Sequence, residues 1–207
     1  MSKLRILIVE DEPVIAENIS MYLDNADFEV SGIAYDSGEA NEQLQNNTPD
    51  AAILDVNLES DEDGIDIANR INQKYQIPFL FLTSYSDKET LQRAKAVNPS
   101  GYIVKPFNEK TLLASLEIAI SNHAADINRK MPALSLDKIN KHLLSPLSER
   151  EFEIVQLVYE GITNNQVAEK IFVSVNTVKT HLKNIYLKLD ANTRYGVIIR
   201  LRALMNK

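Results

Sequence analysis

Four short apolar runs of this chain each give way to polar residues suited to handling phosphate or a metal ion. Glu10 and Asp11 follow Leu4–Val9, and Asp55 follows Ala51–Leu54. Thr83 and Ser84 come after Phe79–Leu80–Phe81–Leu82, and Lys105-Pro106 after Tyr102–Val104. If the runs are strands of one sheet, three carboxylates converge and repel one another strongly unless a cation sits among them. A hard, oxygen-liganded ion such as Mg2+ resolves that repulsion, held by one or two carboxylates and completed by water and phosphate oxygens. Asp55 is then the candidate nucleophile, accepting a phosphoryl group to form an aspartyl phosphate. Lys105 can neutralise one phosphate oxygen and the Thr83 hydroxyl can hydrogen-bond another, which is the positioning and charge stabilisation that phosphoryl transfer chiefly needs. An acidic pair, a threonine or a lysine standing alone after a strand is usually a capping or surface residue. The ordered set carries the reading.

The elements that must position these residues are legible in the first 120 positions. Five apolar runs, the four above and Phe28–Ala34, are nearly continuous in hydrophobicity, as strands covered on both faces are. Between and after them lie amphipathic stretches predicting helices over Val14–Asp24, Ser37–Asn46, Gly64–Tyr75, Lys88–Ala96 and Glu109–Ser121. Ser37, Asp87 and Asn108 are the expected caps at three of their starts. Five strand–helix units in order predict an α/β doubly wound five-stranded parallel sheet, in which ligands bind beyond the carboxyl ends of the strands.

This constellation resembles the receiver domain of two-component response regulators, over roughly residues 3–122. The residues carrying the likeness are Glu10-Asp11, Asp55 in D-V-N-L, Thr83 in F-L-T-S and Lys105 in V-K-P-F. The resemblance implies a flavodoxin- or CheY-like fold, with Mg2+ held by Glu10, Asp11, Asp55 and the backbone carbonyl of Asn57. It implies that Tyr102 is an aromatic switch whose ring rotates when Thr83 moves toward the phosphate, and that Pro106 is a cis-proline aiming Lys105 into the site. Asn57 and Tyr85 fall where the family controls loss of the phosphate, and the Tyr85 ring is expected to hinder the attacking water. One departure stands out: the loop Leu58–Gly64 is more acidic and one residue longer than usual, with Glu59 in place of the common proline.

Past residue 123 the alternation stops. Residues 124–145 lack a strong period and read as a linker with one short helix, and from Pro146 onward the pattern is helical. The charge changes sign as well: residues 1–130 hold 22 acids and 11 bases, residues 131–207 hold 7 acids and 11 bases. The whole-chain charge of −7 thus hides a basic C-terminal segment suited to DNA. Ser148 and Glu151 form an expected capping box for a helix reaching Glu160, where Gly161 stops it. Asn164 is the expected cap of a short helix, Asn165–Ile171, with Val167, Ala168 and Ile171 inward. A turn through Phe172, Val173 and Ser174 leads to a longer helix, Val175–Leu189. Its buried stripe is expected to be Val175, Val178, Leu182, Ile185 and Leu189, leaving Lys179, Thr180, His181, Lys183 and Lys188 between. Two helices joined by about three residues describe a helix-turn-helix, and a last helix, Arg194–Met205, would close the bundle.

Residues 147–195 resemble the LuxR/NarL-type helix-turn-helix, through L-S-E-R-E, E-G-I-T-N-N-Q-V-A and S-V-N-T-V-K-T-H-L-K-N-I-Y-L-K-L. The resemblance implies base-edge contacts from Lys179, Thr180 and Lys183, phosphate contacts from Asn176, Thr177 and His181, and dimerisation partly through the last helix. Asn165 stands where a Lys or Arg is common, so one phosphate contact is missing. The domain boundaries read as 1–123, 124–145 and 146–207.

Composition excludes several other classes. With no cysteine there are no disulfides, thiolate zinc sites or thiol nucleophiles. No secretory signal opens the chain, and no apolar run approaches the ~18 residues of a membrane span, so a cytoplasmic protein is expected. The expected function is a response regulator transcription factor, not an enzyme beyond its own phosphoryl transfer and dephosphorylation. A sensor histidine kinase would phosphorylate Asp55 and shift the chain toward a homodimer that binds double-stranded DNA. A phosphorylation-independent DNA-binding regulator, whose first domain only dimerises or binds protein, is the alternative. The haloacid-dehalogenase phosphatases share an aspartate nucleophile and Mg2+, but need a D-x-D pair that Glu10-Asp11-Glu12-Pro13 does not supply.

Overall fold

The computed structural model describes residues 3–24, 27–84, 88–129 and 133–205. It separates into two compact units, one built on residues 5–120 and the other on residues 121–207.

The first unit carries β1 (Leu4–Val9), β2 (Phe28–Ala34), β3 (Ala51–Asp55), β4 (Phe79–Thr83) and β5 (Gly101–Val104) in one sheet of order β2-β1-β3-β4-β5. The pairs β1–β3, β3–β4 and β4–β5 are parallel, with Val9 opposite Leu54, Asp55 opposite Leu82 and Thr83 opposite Val104. This register brings the polar ends of four strands to one edge. The central strand β3 is buried along its whole length, whereas the outer strands β2 and β5 are partly exposed. That gradient is what a sheet covered on both faces requires. The expected doubly wound five-stranded sheet is the fold observed.

Five helices connect and flank these strands: α1 (Pro13–Leu23), α2 (Ser37–Asn46), α3 (Gly64–Arg70), α4 (Lys88–Ala96) and α5 (Glu109–Arg129). α3 continues as a π-helical turn, Ile71–Tyr75, so the expected helix to Tyr75 changes its winding halfway. Two expected caps move or fall away. Asp36, not Ser37, caps α2, because its carboxylate accepts the Glu39 N–H at 2.8 Å while Ser37 is already helical. Asp87 lies outside the described residues. Asn108 does cap α5, accepting the Thr111 N–H at 3.0 Å.

The second unit contains α6 (Leu136–Asn140), α7 (Glu149–Tyr159), α8 (Asn164–Lys170), α9 (Val175–Leu189) and α10 (Arg194–Met205). Its core joins Ile154, Val158, Val167, Val178, Leu182, Ile185, Leu189, Val197 and Leu201. The stretch 124–145 is more regular than the linker expected. α5 extends to Arg129, and α6 buries Ile139 completely, with Leu136 and Leu143 packed partly against the same core. Asn140 clips this segment to the next: its Nδ2 donates to the Leu147 carbonyl at 3.0 Å and its Oδ1 accepts the Leu147 N–H at 2.8 Å. A single turn of helix carries too few residues to show a period, which is why the packing was invisible in the sequence. Met131 and Pro132 lie outside the described residues. No helix among those described is long and apolar enough to cross a membrane.

Candidate functional site

At the carboxyl ends of β1 and β3, Glu10, Asp11 and Asp55 each offer a carboxylate oxygen, and these oxygens all lie within 4.8 Å of one another. Glu10 is fully buried and Asp55 nearly so, while Asp11 is partly exposed. Lys105, just beyond β5, completes the group: its Nζ donates to Asp55 Oδ2 at 2.6 Å and to Glu10 Oε1 at 3.0 Å. Glu10 Oε2 also lies 2.8 Å from that ammonium but has no directed hydrogen bond and is shut off from solvent. Burial, reinforced by the nearby charge of Asp55 and opposed by Lys105, pushes the Glu10 carboxyl up to about 7. For Lys105, burial acts to lower the pKa, but hydrogen bonds and charge from Asp55 and Glu10 outweigh it and hold the ammonium above its usual range. The Lys105–Pro106 peptide is cis.

The loop after β3 is bound to this cluster. The Asn57 N–H donates to Asp55 Oδ1 at 3.2 Å, and the Glu59 N–H donates to Asp11 Oδ2 at 3.0 Å. Gly64 closes the loop by donating its N–H to the Val56 carbonyl at 3.2 Å. Only glycine fits there, since a Cβ would fall 1.7 Å from the Asp55 carbonyl oxygen. Two acids of the loop are neutralised locally. Glu62 takes a two-pronged contact from Arg70 at 2.8 and 2.9 Å, and Asp63 pairs with Arg93 of α4 at 2.8 Å. Asp63 also caps α3, accepting from Ile65 and Asp66, in a reciprocal box with Asp66. In the sequence this loop shows only as a departure from a pattern. Gly64 and the Asp63–Asp66 spacing were the available signals of its closure.

An open cavity of about 490 Å³ lies over the cluster, lined by Asp11, Asp55, Asn57, Glu59, Ser84 and Lys105 among others. Ser84 forms its wall, whereas Thr83 ends β4 partly buried and uses its carbonyl to accept the Lys105 N–H at 2.8 Å. Tyr102 sits on β5 opposite Phe81, with the two rings 6.0 Å apart and tilted by 37°. Partial burial raises its phenol pKa, yet the side chain keeps a solvent face. Tyr85 lies outside the described residues.

The donor set suits a hard divalent ion. All three carboxylates offer oxygen, and a buried oxygen of Glu10 lacks a hydrogen-bond donor. Glu10, Asp11 and Asp55 are therefore the residues that would hold Mg2+, beside Asn57.

In the second unit, Ser148 and Glu151 form the expected capping box on α7, and Gly161 ends that helix region at φ 80°. Thr163, not Asn164, caps α8, in a box with Gln166; Asn164 is the first helical residue and is buried. Phe172, in the left-handed region at φ 56°, and Ser174, capping α9, make the turn between α8 and α9. Val178, Leu182, Ile185 and Leu189 are buried on α9 as expected, with Val175 only partly covered. The outer face of α9 presents Asn176, Thr180 and Lys183, with Thr177, Lys179 and His181 partly covered beside them. The Thr177 N–H and hydroxyl both engage Ser174, and the Thr180 hydroxyl returns to the Asn176 carbonyl at 3.0 Å. Lys188 belongs to the fold instead: its Nζ donates to Glu151 Oε2 at 2.7 Å and to the Pro146 carbonyl at 2.8 Å.

Comparison with known proteins agrees with both halves. Residues 6–117 match the response regulator receiver domain family, and residues 145–201 match the bacterial regulatory proteins of the luxR family. The chain is 30% identical to the oxygen regulatory protein NreC of Staphylococcus haemolyticus, over 92% of this chain and 93% of that one. It is 28% identical to the response regulator protein VraR of Staphylococcus aureus, over 95% of each. Among solved structures, it is similar to the response regulator ChrA of a heme-sensing two-component system, with a TM-score of 0.50, 26% identity and 98% of both chains covered. Its first unit is similar to the chemotaxis response regulator CheY4 of Vibrio cholerae, with a TM-score of 0.52 and 33% identity over 57% of this chain and 99% of that one. An acid cluster with its lysine at the strand ends, a helix-turn-helix later in the chain and relatives that share both domains make this chain a two-component response regulator transcription factor of the receiver–LuxR type.

Proposed function

We propose that phosphorylation of Asp55 controls sequence-specific DNA binding by this chain. The observation that supports it best is the junction of Asp55 with Lys105, 2.6 Å apart, beside Glu10 and Asp11 at the mouth of an open cavity. A sensor histidine kinase presents its phosphohistidine there, and an Asp55 carboxylate oxygen attacks phosphorus in line. The new P–O bond replaces the P–N bond, and the imidazole leaves. Lys105 then turns part of its charge from Asp55 to a phosphoryl oxygen, and the Thr83 hydroxyl moves in to bond another. Glu10, Asp11 and Asp55, with the Asn57 carbonyl, would hold Mg2+, which would supply charge neutralisation at the transferring group. Apart from promoting its own phosphorylation and dephosphorylation, the chain turns over no substrate.

Occupation of the site by phosphate draws Thr83 inward and repositions Tyr102. A pre-existing equilibrium then shifts toward a homodimer that engages paired half-sites through Asn176, Thr177, Lys179, Thr180, His181 and Lys183. The cytoplasm, where DNA and the kinase domain are both accessible, is the compartment this mechanism needs. The test is DNA binding and solution mass with and without Mg2+ and beryllofluoride, using the wild-type chain and Asp55→Ala. Tighter binding and dimer mass only for the wild type with the mimic is the expected result. Equal binding in every condition would favour the second reading, a regulator whose receiver serves only dimerisation or protein binding.

A further inference from the structure

Arg194, the first residue of α10, is only 5% exposed, yet it carries a full positive charge into the interior of the helical unit. A buried guanidinium persists only where its N–H groups meet acceptors. Here they meet the junction between α7 and α8. One Nη donates to the carbonyls of Val158, at 3.4 Å, and Ile162, and the other to Asn164 Oδ1, at 3.4 Å. Val158 lies in the last turn of α7, where the negative end of the helix dipole favours a cation, and its carbonyl takes the guanidinium in addition to the Gly161 N–H at 3.0 Å. Asn164 is the first residue of α8 and is itself 3% exposed. A single side chain from α10 therefore grips the end of one helix and the beginning of the next.

We infer that Arg194 is a positioning residue for DNA recognition: it sets the angle between α7 and α8, and through α8 the presentation of the recognition helix α9. The inference rests on the reading of α9 as the DNA-contacting helix. α9 is held from two sides. Lys188 fastens its last turn to the start of α7 through Glu151 and Pro146, while α8 carries its first turn through Val167, Ala168 and the Phe172–Ser174 turn. The first of these links secures the C-terminal end of α9, and Val178, Leu182 and Ile185 seat its middle in the core. The α7–α8 junction, gripped by Arg194, fixes the other end, where Asn176, Thr177, Lys179 and Thr180 sit. Because the grip originates in α10, a displacement of that helix is passed to the recognition surface through the α7–α8 junction and α8. A planar fork is what such a junction needs, since acceptors on α7, on α8 and on the segment between them must be met at fixed relative angles, and a lysine ammonium offers no such geometry.

The experiment uses the full chain and a duplex selected by the wild-type chain from a random pool, with a scrambled duplex of equal length as the non-specific competitor. Arg194→Lys, Asn164→Leu and Asn164→Asp are compared by circular dichroism and by binding at several salt concentrations. Arg194→Lys and Asn164→Leu are expected to keep helical content while the ratio of specific to non-specific affinity falls at least tenfold. Their salt dependence on the scrambled duplex stays that of wild type, because no phosphate-contacting cation has been removed. Asn164→Asp keeps an acceptor for the guanidinium and is expected to retain the wild-type ratio. Folded Arg194→Lys and Asn164→Leu chains with an unchanged ratio would overturn the inference, as would losses that only track the unfolded fraction. If Arg194→Lys fails to fold, the contrast between the two Asn164 variants decides the matter alone. A wild-type chain that selects no duplex would instead overturn the DNA-recognition reading on which the inference stands.

Discussion

Lys105 donates one hydrogen bond to Asp55 at 2.6 Å and another to Glu10 at 3.0 Å, so a single ammonium holds together two carboxylates that are otherwise buried side by side. Replacing it strands them. Lys105→Met is expected to lower stability at neutral pH by about 1–3 kcal/mol, below the full penalty for an isolated buried charge because Glu10 takes up a proton near pH 7. Adding Mg2+ is expected to restore much of that loss, since the ion then has no competing cation. Urea unfolding with and without Mg2+ measures both effects, and an Mg2+ response equal to that of the wild type would count against a metal held by these carboxylates.

Gly64 backs directly onto the backbone of Asp55. Gly64→Ala places a methyl group 1.7 Å from the Asp55 carbonyl oxygen, and only a shift of the backbone relieves that. A destabilisation of about 3 kcal/mol is expected, at the upper end of overpacking effects. Beryllofluoride binding by folded Gly64→Ala, followed by a shift in thermal midpoint, is expected to be weakened as well.

The Glu151 carboxyl carries a pH signature of its own. Burial alone would raise its pKa, but hydrogen bonds from Lys188 and Ser148 outweigh that and leave it below 4.5. A folded-state pKa below the unfolded one means the contribution is complete above about pH 4.5 and is lost as pH falls through the lower folded value. Stability of the wild type minus that of Glu151→Gln, followed by urea unfolding between pH 3 and 7, should therefore shrink on acidification. At pH 7 the substitution is expected to cost about 1–2 kcal/mol, since glutamine can still close the capping box but loses the charge-assisted bond from Lys188. A difference that stays constant down to pH 3 would contradict the assignment.

Lysines of one helix are expected to behave differently. Lys183 is exposed on the outer face of α9, and Lys183→Ala is expected to cost about 1–3 kcal/mol of specific DNA affinity and to relax the preference at one base position. Lys188 is committed to Glu151 and Pro146, so Lys188→Met is expected to lower stability while leaving the salt dependence of DNA binding unchanged. Titrations at several salt concentrations separate the two. A reduced salt slope for Lys188→Met would place that ammonium on the DNA after all.

The sequence by itself determined the strand order of polar residues, because a parallel sheet with short connections turns the carboxyl end of every strand toward one edge. Glu10, Asp11, Asp55 and Lys105 could thus be named as one site from apolar periodicity and spacing alone. Residues 148–151 and the stripe of α9 were legible for the same reason, since capping and amphipathic spacing are local. Tertiary structure decided what depends on approach between distant segments. That Lys105 bridges Asp55 and Glu10, that Ser84 rather than Thr83 forms the cavity wall, and that Asp63 pairs with Arg93 are consequences of packing. So are the burial of Ile139, the engagement of Lys188 and the grip of Arg194 on α7 and α8. A charged residue reads the same in sequence whether its partner is water or a carbonyl thirty positions away. Only the fold, by excluding water from one side chain and not from its neighbour, separates a lysine left on the outer face of α9, such as Lys183, from one that holds the domain together, such as Lys188.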